Sequence, residues 1–138
     1  MASKPRVLIM APDESIRKLM QDVLVERYDT AVAGDVLEGT DFLLAERFDL
    51  LVLEDNMPVI MGREFLEFLK AHDEFQSLPV VIVSEALDLE QKIRSKRNCS
   101  FLSKPFGLDQ LVRQIQGLLE PHPQQPWAAN ASNIQAAA

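Results

Sequence analysis

The chain has 138 residues, 14 Lys+Arg against 21 Asp+Glu for a formal net charge of −7, 47% hydrophobic and 25% charged residues, and one cysteine. That length suggests one domain able to bury a core without staples, and the composition excludes wholesale disorder. Lone Cys99 excludes an internal disulfide framework or a zinc-finger ligand set, and the acidic balance argues against direct, non-specific nucleic-acid binding.

Residues 7–10, Val-Leu-Ile-Met, form an unbroken apolar run, which reads as a strand buried on both faces. The turn Ala-Pro-Asp-Glu-Ser follows, with Pro12 at the expected first helical position and Asp13 and Glu14 at the positive end of the helix dipole. Ile16, Leu19, Met20, Val23 and Leu24 then stripe one helix face, with the helix expected to end near Tyr28. Thr30–Ala33 reads as a short strand, and 36–47 as a helix carrying Leu37, Leu43 and Leu44. Leu50–Leu53 is a second buried strand, and Arg63–His72 a helix with Phe65, Leu66, Phe68 and Leu69 on one side. Val80–Val83 is a third apolar run, followed by a polar helix over 88–97 anchored by Leu89 and Ile93. Phe101–Leu102 gives a last short strand, and Leu108, Leu111, Val112, Ile115, Leu118 and Leu119 stripe a final helix.

Five strands alternating with five helices predict an α/β fold, a doubly wound five-stranded parallel sheet with helices on both faces. Residues 1–120 are expected to be that domain. Residues 121–138, with three of the eight prolines, read as a flexible Pro/Gln/Ala-rich tail or a linker to an output domain. No signal peptide or span of ~18–20 apolar residues is present, so the expected location is the cytoplasm and no membrane partner is expected.

Ligands of such folds sit beyond the carboxyl ends of the strands. Those ends carry Ala11-Pro12-Asp13-Glu14, Glu54-Asp55-Asn56-Met57-Pro58, Ser84-Glu85 and Ser103-Lys104-Pro105-Phe106. A carboxylate, a hydroxyl and a lysine therefore arrive on one rim from three strands.

These motifs, with Asn56-Met57-Pro58 and Lys104-Pro105-Phe106 the most specific in combination, resemble the receiver domain of two-component response regulators across roughly residues 5–119. The resemblance implies a flavodoxin-like topology and a phosphorelay role. It also implies a strand-three aspartate that accepts a phosphoryl group from a histidine kinase, and an acidic pair after strand one that holds Mg²⁺. Ser84 falls at the hydroxyl position and Lys104 at the lysine position of the phosphoryl pocket. Phe101 falls at the switch aromatic, Pro105 at the usually cis proline, and Asn56 where a backbone carbonyl meets the metal.

The departures carry as much information. Ala11 and Pro12 occupy the acidic-pair positions, and Glu54 the phosphoacceptor position. Met61 precedes Gly62 where an aspartate is common, and the small-residue turn before the last strand has become Ser95-Lys96-Arg97-Asn98-Cys99-Ser100. Mg²⁺ wants a near-ideal octahedral shell of oxygens. Ala11 and Pro12 offer no side-chain ligand, leaving Glu54 and Asn56 as residual candidates, so no cofactor is expected and Mg²⁺ is expected to bind weakly or not at all. Glu54 is also one methylene longer than aspartate, and misplacement by about an ångström costs on the order of 10²-fold in rate. Asp55 is expected to face away from the pocket, because successive strand residues point to opposite sides. Asp13 and Glu14 are expected to serve the helix dipole.

The reading is a degenerate, pseudo-receiver signalling module without enzymatic activity. Glu54 extends a permanent charge toward Ser84 and Lys104, and a signalling protein docks on the face of helix four, strand five and helix five. That face would include Lys92, Arg94, Lys96, Arg97, Phe101 and Arg113, a basic cluster suited to an acidic partner. A homodimer or a C-terminal output domain is a further expected partner. The alternative is a working receiver phosphorylated at Glu54 or Asp55 with Mg²⁺. A flavin protein lacks the Ser/Thr/Gly-rich first turn it needs, and His72 and His122 offer no apparent Ser–His pair to a hydrolase.

Overall fold

The computed structural model describes residues 4–119; the proposed tail at 121–138 lies outside the described residues. Strand β1 (Arg6–Met10) leads to α1 (Glu14–Leu24), β2 (Asp29–Ala33), α2 (Val36–Ala45), β3 (Leu50–Glu54), α3 (Gly62–Lys70) and β4 (Val80–Ser84). A 3₁₀ turn (Leu87–Leu89), α4 (Glu90–Arg94), β5 (Cys99–Ser103) and α5 (Leu108–Leu119) complete it. The strands form one sheet in the order β2-β1-β3-β4-β5, every pair parallel. This is the doubly wound α/β architecture expected from the alternation of apolar runs and helical stripes.

Side chains alternate across each strand, so the buried runs feed two cores. Leu8, Met10, Leu51, Leu53, Val80 and Ile82 meet α2, α3 and α4 on one face. Val7, Ile9, Leu50, Val52, Val81 and Val83 meet Met20 and Leu24 of α1 and Leu111 and Ile115 of α5 on the other. Each buried Leu, Ile or Val contributes about 1.5–3 kcal/mol relative to exposure, and this fixes the register that carries the site. Among the described residues no helix is long and apolar enough to cross a membrane.

Several boundaries differ from those expected. Helix α1 begins at Glu14 with Asp13 as its cap, so Pro12 lies outside it, and it ends at Leu24 because the chain must turn to pair Asp29 N with Pro5 O at 2.9 Å. Helix α2 stops at Ala45, since Glu46 is extended (φ −140°) and delivers Phe48 into the core. Its Val36, Gly39 and Leu43 are buried, whereas Leu37 and Leu44 are exposed. On α3, Phe68 is exposed and rests against the His72 ring. The polar helix expected over 88–97 shrinks to a 3₁₀ turn and five residues, because only Leu89 and Ile93 offer apolar anchorage. Strands β3 and β4 each run one residue further than expected, to Glu54 and Ser84. These polar groups therefore belong to the sheet ladder and not to loops.

Candidate functional site

The chain order reverses between β1 and β3, and the site forms at the carboxyl ends beside that point. Glu54 and Asp55 are both buried there, at 5% and 4% exposure. Each has its own cation. Glu54 shares the sheet face of Leu50 and Val52, and its Oε1 is ion-paired with Lys104 Nζ from the β5–α5 loop. The Lys104–Pro105 bond is cis. Asp55 emerges on the opposite face, where Arg63 of α3 grips it: the Arg63 backbone N and Nε donate to Oδ1 at 3.1 and 3.0 Å, and Nη2 to Oδ2 at 2.5 Å.

The hydroxyl follows Asp55. Parallel pairing sets Glu54 opposite Val83, so the next residues along, Asp55 and Ser84, share a face. Ser84 Oγ donates to Asp55 Oδ2 at 3.0 Å and accepts from Ala86 N at 3.0 Å. Two expectations are corrected here. Asp55 does not face away from the pocket: alternation does separate it from Glu54, but the hydroxyl lies on the Asp55 side. For the same reason Glu54 reaches Lys104 and not Ser84. Asp55, Asn56, Met61, Arg63, Ser84 and Lys104 are among the residues that line the resulting cleft of about 240 Å³.

The electrostatics follow from this pairing. Burial pushes the Asp55 carboxyl up, but hydrogen bonds from Arg63 and Ser84 and the guanidinium charge outweigh it and hold its pKa below the ordinary value. The Arg63 guanidinium is raised in turn, chiefly by its hydrogen bonds to Asp55. Burial lowers the Lys104 pKa, and the charge of nearby Asp13 opposes that shift. Buried side-chain polar atoms without a hydrogen-bond partner are absent among the described residues.

On the β1–α1 side, Ala11 is fully buried. The carbonyls of Ala11 and Pro12 accept from Arg17 Nη1 at 2.9 and 3.2 Å. Asp13 caps α1, its Oδ1 accepting from Ser15 N and Ile16 N at 2.8 and 3.2 Å. The donor set does not fit an octahedral Mg²⁺. A guanidinium sits on the two backbone carbonyls, Glu54 is tied to Lys104, and both Asp55 oxygens are occupied by Arg63 and Ser84. The backbone carbonyl of Asn56, at an exposed position, is the other oxygen donor of the residual set.

Arg63 and Arg17 were not assigned roles from the sequence. A signal existed for Arg63: a cation in the first turn of a helix opposes the dipole and calls for an anionic partner. Phe101 is 4% exposed and belongs to the core under α4, so it is not part of the outer docking face expected for it. On that face Lys92 pairs with Glu67, Arg94 with Glu90 and Arg113 with Asp109.

Comparison with known proteins gives a consistent answer. The family described as "Response regulator receiver domain" matches residues 7–116. The chain is 28% identical over 116 residues to the polar-differentiation response regulator DivK of Brucella anthropi, covering 82% of this chain and 94% of that protein. It is 26% identical over 119 residues to hybrid signal transduction histidine kinase D of Dictyostelium discoideum, covering 85% of this chain but 8% of that protein. It spans 12% of the sensor histidine kinase TmoS of Ectopseudomonas mendocina, at 28% identity over 86% of this chain. Among solved structures, the Francisella response regulator 1452 receiver domain superposes with a TM-score of 0.76 at 26% identity, covering 83% of this chain and 96% of that one. A receiver domain of a Pseudomonas aeruginosa sensor histidine kinase, with magnesium coordinated in its active site cleft, shares the fold at TM-score 0.73 and 18% identity, over 84% of this chain and 98% of that one. With the reversed sheet order, the Ser84 and Lys104 positions and the cleft between them in place, the chain belongs to the response regulator receiver domain family of two-component signalling.

Proposed function

We propose that this receiver works without phosphorylation, as a protein-interaction module whose pocket is held by its own ion pairs. The observation that supports this reading is that both strand-three carboxylates already carry a cation of the chain, Lys104 on Glu54 and Arg63 on Asp55. Phosphoryl transfer depends on positioning and charge neutralisation. Here the lysine that would meet phosphoryl oxygens is spent on Glu54, and Arg17 covers the carbonyls nearest the vacated acidic pair. Mg²⁺ then binds weakly or not at all, and the module performs no catalysis. A signalling partner docks on the face of α4, β5 and α5 in the cytoplasm, and residues 121–138 serve as a tail or linker to an output domain.

The competing reading places the phosphoryl group on Asp55, which has ordinary aspartate length and touches Ser84. Four donors already engage its two oxygens, so attack requires Arg63 to leave first. The test is incubation of the full chain with acetyl phosphate and Mg²⁺, read by intact mass. Unchanged mass supports the proposal. Gain of one phosphoryl group, mapped to Glu54 or Asp55, refutes it.

A further inference from the structure

The basic run Lys92–Arg97 divides in the structure. Lys92 and Arg94 are neutralised by Glu67 at 3.5 Å and Glu90 at 2.6 Å. Lys96 and Arg97 instead line a cavity of about 260 Å³ with Lys70, Gln76 and Ser77, and no carboxylate lines it. These residues precede β4 and β5 or close α3, so the cavity lies at the opposite end of the sheet from the Glu54 cleft.

The cavity has a fixed frame. Lys70 Nζ donates to the carbonyls of Gln76 at 3.0 Å and Leu78 at 2.6 Å, which leaves one of its three N–H groups free. Asn98 turns the chain with φ 59°, and its Nδ2 donates to Ser77 O at 3.2 Å, pinning the Lys96–Arg97 turn to the opposite wall. Lys96 is half-buried, while Gln76, Ser77 and Arg97 are exposed; among the described residues neither the Lys96 ammonium nor the Arg97 guanidinium has an ion-pair partner. Burial lowers the Lys70 pKa, nearby Cys99 opposes that shift, and the repulsion of Lys96 adds to it. Three cations thus converge without an anion in a protein of net charge −7.

We infer that this cavity binds a phosphoryl-bearing small anion, with Lys70, Lys96 and Arg97 as its charged contacts and Ser77 as a hydroxyl donor. A guanidinium fork with two ammoniums suits the several oxygens and multiple charge of a phosphoryl group. The volume lies below the roughly 300–1,000 Å³ of drug-sized pockets, which favours a small ligand. The inference is independent of whether the Glu54 cleft accepts phosphate.

The test titrates the full chain at low ionic strength with inorganic phosphate, pyrophosphate and ADP, followed by backbone amide shifts. Saturable shifts at Ser77, Lys96 and Arg97 are expected, with affinity reduced at least about tenfold in the Lys96→Gln/Arg97→Gln variant, which removes two of the three charged contacts. Both positions reach solvent, and circular dichroism verifies the fold; Arg97→Gln alone serves if the pair does not fold. Lys92→Gln, outside the cavity, should leave affinity unchanged. Tighter binding of ADP than of pyrophosphate identifies a nucleotide-borne phosphoryl group, and the reverse order a free one; both support the site. No saturable response, shifts confined to Ser84 and Lys104, or equal affinity in the folded variant overturns it.

Discussion

At position 54 the carboxylate leaves the sheet on the side that Lys104 reaches, and Ser84 is left to Asp55. The chemical inventory of this rim was legible in the sequence: an acid, a hydroxyl and a lysine at three strand ends. Their partnership was not, because it depends on which sheet face each residue leaves from, and that is fixed by a one-residue register between β3 and β4. Lys104→Met leaves the Glu54 carboxylate, 6% exposed at its side chain, without a counter-charge. The expected loss is about 2–3 kcal/mol in urea denaturation, below the usual cost of breaking a fully buried pair because the Lys104 side chain is 28% exposed. Adding Glu54→Gln to Lys104→Met should recover much of that loss, since no charge is then stranded.

Asp55 makes the stability of the fold sensitive to acid. Its folded pKa is depressed, mainly by Arg63 working against burial. The unfolded chain therefore binds its proton first as pH falls. The stabilisation is complete above about pH 4, the unfolded value, and is lost as pH drops through the lower folded value. The difference in urea midpoint between the wild type and Asp55→Asn should be widest near pH 7 and shrink toward pH 3. A difference independent of pH contradicts the assignment.

At the scale of elements, β3 and α3 meet closely, and Gly62 permits it. A Cβ there would collide with Glu54 O and lie 2.8 Å from Asp55 Cα, both backbone atoms that cannot swing aside. Gly62→Ala should cost about 1–3 kcal/mol and loosen the Arg63 grip on Asp55. Gly117→Ala, in α5 where a Cβ meets nothing within 4 Å, should stabilise by about 1 kcal/mol through helix propensity. Opposite signs in thermal unfolding are the check. The strands were readable because short unbroken apolar runs such as Leu50–Leu53 fit strands buried on both faces of a parallel sheet. Helix ends were less so: the period of Ile16 to Leu24 says nothing about where Asp29 must turn to pair with the Pro5 carbonyl. Helix α4 was overestimated because polar residues after Leu89 keep a helical rhythm without the burial that sustains a helix.

At the scale of the whole molecule, the alternation of strands and helices was sufficient to specify the doubly wound sheet, and the sheet brought Ser84 and Lys104 to one rim. That Ala11 and Pro12 bring no side-chain oxygen to this rim was visible as letters. The positive groups set against the remaining oxygens, Arg17 on the carbonyls and Arg63 on Asp55, required the folded geometry. Together they give a receiver whose pocket charges are satisfied from within, and from this the proposal of phosphorylation-independent signalling follows. The most direct test is titration of the full chain with Mg²⁺ and beryllofluoride, a phosphoryl mimic, followed by the amide resonances of Ser84, Lys104 and Phe101. The account predicts no saturable change through millimolar concentrations. Saturation at sub-millimolar concentrations, with Ser84 and Phe101 shifting together, would contradict it.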